Sequence, residues 1–432
     1  MRPDQPTLDS SASPDRNEIP RRLVFCDNVR SLAVILVVVV HAGLAYSGLG
    51  LEAMWPARGP DGGPAMAVLT LVLDSFIMPL LFFLAGYFAL PSLQPKGARR
   101  FLVGKMRQLV APAVLVVLFL NPLIVYVWGR THFPGSAEYP RSLADWWLFQ
   151  LRRIGSFHLD EFGCPASYFF AHVWFVSVLM LFFVVLAVGC AVKRTLRPTA
   201  AETTPRRASR FTVIAALLLT GVLTGAIASA VRILLPEVGF CWVVILGLIE
   251  FRSPDVVFHV GYFLLGLFAF RGRWFARPRP FGPVWPWLAS CLLITAAYLG
   301  VTQRMLELHP PPSPRPAPFL AAFWMLRGLV CVTFTGLLIA VAEKYWNRPS
   351  RIGERMAATS YHVYLIHLPL VVSLQFLLAG AVEAPAIVQF GLVAVVSIGL
   401  SFAVCELLVR RFPRTSAIFL VALFAVLCSI LQ

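Results

Sequence analysis

Charge is what this sequence has least of. Only 13% of its 432 residues are Asp, Glu, Lys or Arg, whereas 58% are hydrophobic. That balance excludes a water-soluble globular domain and points to an all-α, polytopic membrane protein. Acidic residues are the scarcer kind, 21 against 37 basic, which leaves a net charge of +16. Asp74 and Glu250 are among the few acids near apolar stretches, and each reads as lying near a stretch end. Proton-coupled transport relies on carboxylates at mid-membrane, so this shortage counts against it. Paired cysteines are missing too. The eight present are scattered, with no C-x-x-C and no Cys/His cluster at metal spacing, so neither a zinc site nor a disulfide framework is indicated. No internal repeat stands out to support an inverted-repeat transporter. The polar, Pro/Ser-rich opening has no apolar region of its own and is no cleavable signal peptide. Residues 1–24 are expected to be a disordered cytoplasmic tail.

What is present in quantity is apolar runs. They fall at 31–49, 66–90, 108–128, 168–192, 211–235, 254–270, 284–301, 318–342, 357–380, 386–409 and 415–431. Most reach the ~20 residues that a helix needs to span hydrocarbon, which predicts a bundle of about 10–11 transmembrane helices. A further piece, 238–251, is too short to span and reads as re-entrant or interfacial. The basic residues gather in alternate loops: Lys96, Arg99, Arg100, Lys105 and Arg107 after the second run, and Lys193, Arg194, Arg197, Arg206, Arg207 and Arg210 after the fourth. Similar groups follow the sixth, eighth and tenth. This is the positive-inside pattern, not a nucleic-acid-binding face, and it predicts a cytoplasmic N-terminus. Counting 238–251 as a crossing would put the later basic loops outside.

One run holds a residue that apolar spans rarely carry. His41 sits in the middle of 31–49, with Asp27 and Arg30 where that segment leaves water. Eleven residues are about three helical turns, so Arg30 and His41 share one face, ~16 Å apart. An intramembrane titratable ring is a functional-site hypothesis, the plainer alternative being a histidine bonded to a neighbouring helix.

These residues belong to a set of blocks that resembles the membrane acyltransferase family 3. C-D-N-V-R-S-L-A…V-H-A-G-L-A-Y-S, with Asp27, Arg30 and His41, resembles its opening helix. S-F-I-M-P-L-L-F-F-L-A-G-Y-F at 75–88 resembles its phenylalanine-rich second span. Lys105 to Pro112 (KMRQLVAP) is similar to its basic run before a proline, although Lys105-x-Arg107 departs from the family's Arg-x-x-Arg spacing. His172-Val-Trp174-Phe-Val and Ser360-Tyr361-x-x-Tyr364-Leu-Ile-His367-x-Pro369 resemble two later blocks. The likeness covers 25–410, with 411–432 an added C-terminal apolar helix. H-x-x-L-x-Y-S and Gly-Tyr-Phe are most like the glucan biosynthesis protein C group.

The resemblance implies an integral O-acyltransferase of a bacterial inner membrane. It would move a succinyl or acetyl group from cytoplasmic acyl-coenzyme A, with no permanently bound cofactor, to an extracytoplasmic carbohydrate such as a periplasmic glucan. Its partners would be the bilayer, donor, acceptor and possible glycan-synthesis machinery. His41 suits the base that removes a hydroxyl proton, or a nucleophile carrying the acyl group itself; the residues leave both routes open. Arg30 suits a phosphate or carboxylate, or else simply pairs with Asp27 to anchor the helix. Lys105 and Arg107, at a helix entrance, are the better candidates for the donor's phosphates. His172, Tyr361, Tyr364 and His367 are candidates for the substrate side, and Trp174 doubles as an interfacial anchor. No role falls to His259 or His362. The competing reading is a transporter or flippase of a glycan- or acyl-linked substrate, with Arg30 and His41 in a relay.

Overall fold

A computed structural model describes residues 23–48, 55–133, 141–152, 158–160, 171–196, 207–236, 242–246, 248–309, 315–381 and 383–432. The tail 1–22, Cys164, Glu161 and much of the long 129–167 connection lie outside the described residues. In hydrocarbon every backbone N–H and C=O must be paired within the chain, so an apolar run of this length folds as a helix. Among the described residues, eleven helices are long and apolar enough to cross a membrane. They are α1 (Val24–Leu44), α2 (Gly63–Leu93), α3 (Gly97–His132), α5 (Trp174–Leu196), α6 (Arg210–Leu234) and α7 (Ser253–Arg271), followed by α8 (Val284–Leu308), α9 (Ala317–Tyr345), α10 (Arg351–Ala381), α11 (Ala386–Val409) and α12 (Pro413–Ile430). A short helix, α4 (Leu143–Leu151), lies between α3 and α5, started by Ser142, whose hydroxyl accepts from the Asp145 amide. The protein is a multi-pass helical membrane protein. α1 begins at one end of the bundle, here called the near end, and finishes at the far end.

The helices approach closely where glycine removes the side chain. Gly86 of α2 faces the Phe263 carbonyl and Gly266 of α7 faces the Phe83 carbonyl, so a Cβ at either place would collide with main chain. Gly221 and Gly225 of α6 meet α9 at Gly328 and Trp324 in the same way. Small residues at crossings are how helices bind each other in lipid, where hydrophobicity gives no preference for a neighbour over a lipid tail.

The described part of the short piece 238–251 is strand, not helix. Strands β2 (Trp242–Ile245) and β3 (Ile249–Arg252) form an antiparallel hairpin, and β1 (His158–Asp160) adds to it in the order β1-β2-β3. The run Trp-Val-Val-Ile is bulky and β-branched, which favours a strand, and Leu246 in the connection takes a left-handed φ of 55°. Both ends of the hairpin stay at the far end, so α6 and α7 keep the orientation that the loop charges predict.

Asp74 takes part in a group of opposite charges. It lies inside α2, eleven residues beyond Gly63, and pairs with Arg327 of α9 at 3.0 Å. Arg327 reaches Asp255 of α7 at 3.2 Å, and Arg252 at the end of β3 lies 3.8 Å from Asp74 and bonds Asp255. Two carboxylates and two guanidiniums thus cancel one another across α2, α7, α9 and the hairpin. Burial pulls the Arg252 guanidinium down, but the carboxylates of Asp255 and Asp74 outweigh it and hold its pKa above the ordinary arginine value.

Candidate active site

α1 and α10 run side by side in the same direction, and the candidate residues lie along their seam. At the near end Asn28 Nδ2 donates to the Trp346 carbonyl (2.6 Å), and Arg30 Nη2 donates to the Ala357 carbonyl (3.2 Å). Eleven residues further along α1 and ten along α10, His41 Nδ1 lies 2.9 Å from His367 Nε2. His41 occupies the last turn of α1, not its middle, because the helix starts at Val24 and ends at Leu44. The site is therefore set towards the far end.

Beyond Leu44 the chain turns back. Amides of Gly59 and Gly62 donate to the Ala45 and Tyr46 carbonyls (3.2 and 2.9 Å), which brings Trp55 over His41. Their rings stack with centroids 5.7 Å apart and planes 13° from parallel. Trp55 Nε1 donates to Gln375 Oε1 at 2.7 Å, and Gln375 Nε2 donates to the His41 and Ala42 carbonyls at 3.2 and 3.0 Å. Those carbonyls belong to the last turn of α1, where intrahelical donors run out, so Gln375 acts as a side-chain cap. His132 Nε2 donates to the Trp55 carbonyl (2.8 Å), and Arg58 donates to His132 Nδ1 (2.9 Å).

On the other side of His367 stands His172, rings perpendicular and 4.8 Å apart. Its placement follows from Pro369. A proline has no N–H, so the carbonyl four residues back, Leu365, has lost its helical donor. His172 Nε2 donates to that carbonyl at 2.9 Å, and Tyr364 returns the tie by donating its hydroxyl to the His172 carbonyl. The sequence blocks H-x-W-F and Y-x-x-Y-L-I-H-x-P are thus two halves of one joint. The Nδ1 of His172 is buried without a hydrogen-bond partner.

The structure brings His41, His172, Tyr364 and His367 together. It separates them from Arg30 and Asp27, which pair with each other at 3.1 Å at the near end. There Lys105 lies half-buried between the rings of Phe101 and Phe183 (5.7 and 5.1 Å to centroids), close enough to Arg30 and Lys96 for their charges to act on it. Arg107 is exposed and lines an open cleft of about 690 Å³ with Lys96, Arg99 and Arg100. Tyr361 donates its hydroxyl to the Leu109 carbonyl, within the wide π-helical turn Met106–Val110 of α3. It ties α10 to α3 and is not part of the histidine cluster. The ring of Trp174 packs 5.0 Å from His259 and 6.2 Å from Trp242.

Sequence reasoning missed Trp55, Gln375 and the charged group around Arg327. A lone arginine inside the otherwise uncharged 318–342 was a readable signal. Trp55 and Gln375 gave none, since Trp55 reaches His41 only through the bonds of Gly59 and Gly62 to Ala45 and Tyr46, and Gln375 only through the docking of α10 on α1. Among the described residues no group of His, Cys, Asp or Glu has the arrangement to hold a metal ion.

A family model described as an acyltransferase domain, that of acyltransferase family 3, matches residues 23–406. No curated protein and no solved structure matches the chain.

Proposed function

As this chain belongs to acyltransferase family 3 and is an acyltransferase, we propose that it moves an acyl group from a near-end acyl-coenzyme A thioester to a carbohydrate hydroxyl at the far end. The observation that carries this reading is the His41–His367 pair, 2.9 Å apart towards the far end of a seam whose near end is cationic. Arg30, Lys105 and Arg107 supply the positive charge that a donor's phosphates would meet. The positive-inside pattern of the loops makes the near end cytoplasmic, and a bacterial inner membrane fits a coenzyme A donor on that side.

The reaction needs a base at the hydroxyl. His41 takes the proton while the hydroxyl oxygen attacks the thioester carbonyl; the C–O bond forms, the C–S bond breaks, and His41 returns the proton to the thiolate. Trp55 lies flat on the imidazole and holds its plane, and together with Gln375 covers the end of α1 against water, which would otherwise compete as acceptor. A succinyl donor and a periplasmic glucan acceptor are the first pair to try.

The test is acyl transfer by purified protein from labelled acetyl- and succinyl-coenzyme A to envelope glycans. Wild type is expected to label glycan and His41→Ala to lose at least about 100-fold in kcat. An equally active His41→Ala would overturn the role given to His41.

A further inference from the structure

We propose that His367 is a positioning residue: it holds His41 in the tautomer protonated at Nδ1, and so makes Nε2 of His41 the nitrogen that accepts the hydroxyl proton. This deepens the acyltransferase reading and rests on it.

The argument is one of hydrogen-bond polarity. His367 Nδ1 lies 2.7 Å from the Tyr364 carbonyl on its own helix. A carbonyl only accepts, so Nδ1 of His367 carries a hydrogen, and in a neutral imidazole Nε2 then carries the lone pair. That lone pair faces His41 Nδ1 at 2.9 Å, so His41 Nδ1 must donate. The Val37 carbonyl, one turn back on α1, is a second acceptor beside the His41 ring. The lone pair of His41 is left on Nε2.

The rest of the cluster makes this arrangement hard to change. His367 is fully buried, and the proline two residues on fixes the local path of α10. Trp55 stacks on the His41 ring, so the ring cannot turn over without disturbing that contact. When His41 takes the hydroxyl proton on Nε2, its Nδ1–H keeps an acceptor in His367 throughout. In a serine-protease triad an aspartate does this work for its histidine. Here a neutral imidazole does it, so no unpaired carboxylate is needed at the end of an apolar helix.

The experiment compares wild type with His367→Leu and His367→Gln, each full-length in liposomes and checked for folding by circular dichroism and gel filtration. Gln offers an oxygen close to where His367 presents Nε2, so it can still accept from His41. The first readout is transfer kinetics. His367→Leu is expected to lose about 100-fold in kcat with KM little changed, and His367→Gln to recover most of that loss. The second readout needs no substrate: nitrogen-15 spectra of histidine-labelled protein, with the His41 signals identified by their loss in His41→Ala. His41 should be protonated at Nδ1 in wild type and His367→Gln, and shift towards the other tautomer or a mixture in His367→Leu. Protonation of His41 at Nε2 in wild type, or kcat and spectra unmoved by His367→Leu, would overturn the proposal. Wild type without transfer from either donor but with the Nδ1–H signature would leave the positioning role standing and remove the substrate reading instead.

Discussion

Gln375 uses a single amide to close two separate gaps. Its oxygen satisfies the indole N–H of Trp55, and its nitrogen satisfies the orphaned carbonyls of His41 and Ala42. Gln375→Leu keeps the bulk and removes both functions, leaving buried polar groups unpaired at about 1–3 kcal/mol each. We expect a lower thermal midpoint for purified Gln375→Leu, together with reduced kcat because Trp55 no longer rests on His41. An unchanged midpoint would show that the amide is not what closes the end of α1. Arg30 is a contrasting case. Its guanidinium serves Asp27 and the Ala357 carbonyl, about three helical turns from the histidines. Arg30→Ala should therefore raise the donor KM more than it lowers kcat, which steady-state kinetics with varied acyl-coenzyme A would read.

At the scale of the helix, Pro369 shapes α10 for the site. The missing N–H frees the Leu365 carbonyl, and His172 takes it. Pro369→Ala would restore an amide donor at that carbonyl and set it in competition with His172. A proline in a helix interior costs about 3 kcal/mol, so the substitution should hold or raise thermal stability. Activity should nevertheless fall by about tenfold, the equivalent of roughly one hydrogen bond. Opposite movements of midpoint and kcat are the signature; a parallel fall in both would mean that Pro369 matters for folding alone. The α2–α7 crossing makes the matching structural point. At Gly86 a side chain meets the backbone of Phe263, whereas at Gly399 of α11 the space is open.

On the scale of the whole molecule two arrangements matter: the charged group that binds α2, α7, α9 and the hairpin, and the separation of a cationic end from a histidine end. Arg327 is almost fully buried among Asp74 and Asp255. Arg327→Met removes one of the two guanidiniums and leaves both carboxylates to Arg252 alone, and loss of one partner from such a buried group costs about 3–5 kcal/mol. Asp74→Asn should cost less, because its side chain is half exposed, at 51%; thermal unfolding of the two variants would rank them. The two-ended arrangement is tested by cysteine accessibility. Arg58→Cys and Arg99→Cys, both at exposed positions, should react with a membrane-impermeant maleimide from opposite sides of sealed vesicles. Labelling from the same side would overturn the path that carries an acyl group from one end to the other.

The amino-acid sequence by itself determined the eleven helices and their alternation. Both follow from the length of each apolar run and the placement of basic residues between them, which are properties of the chain read locally. It also marked His41, His172, Tyr364 and His367, because polar rings inside apolar runs are costly and stand out. The tertiary structure alone decided which of these meet. Parallel docking of α1 on α10 joins His41 to His367 and gives Arg30, about three turns back on the same helix, the Ala357 carbonyl instead. It likewise paired Trp242–Ile245 with Ile249–Arg252 as a hairpin, gave Asp74 its partner in Arg327, and folded Trp55 back over the site. Each of these depends on contacts between residues up to hundreds of positions apart, such as Trp55 with Gln375 or Asp74 with Arg327. A local pattern carries the cost of burying a polar group, but only the assembled bundle supplies the partner that offsets it.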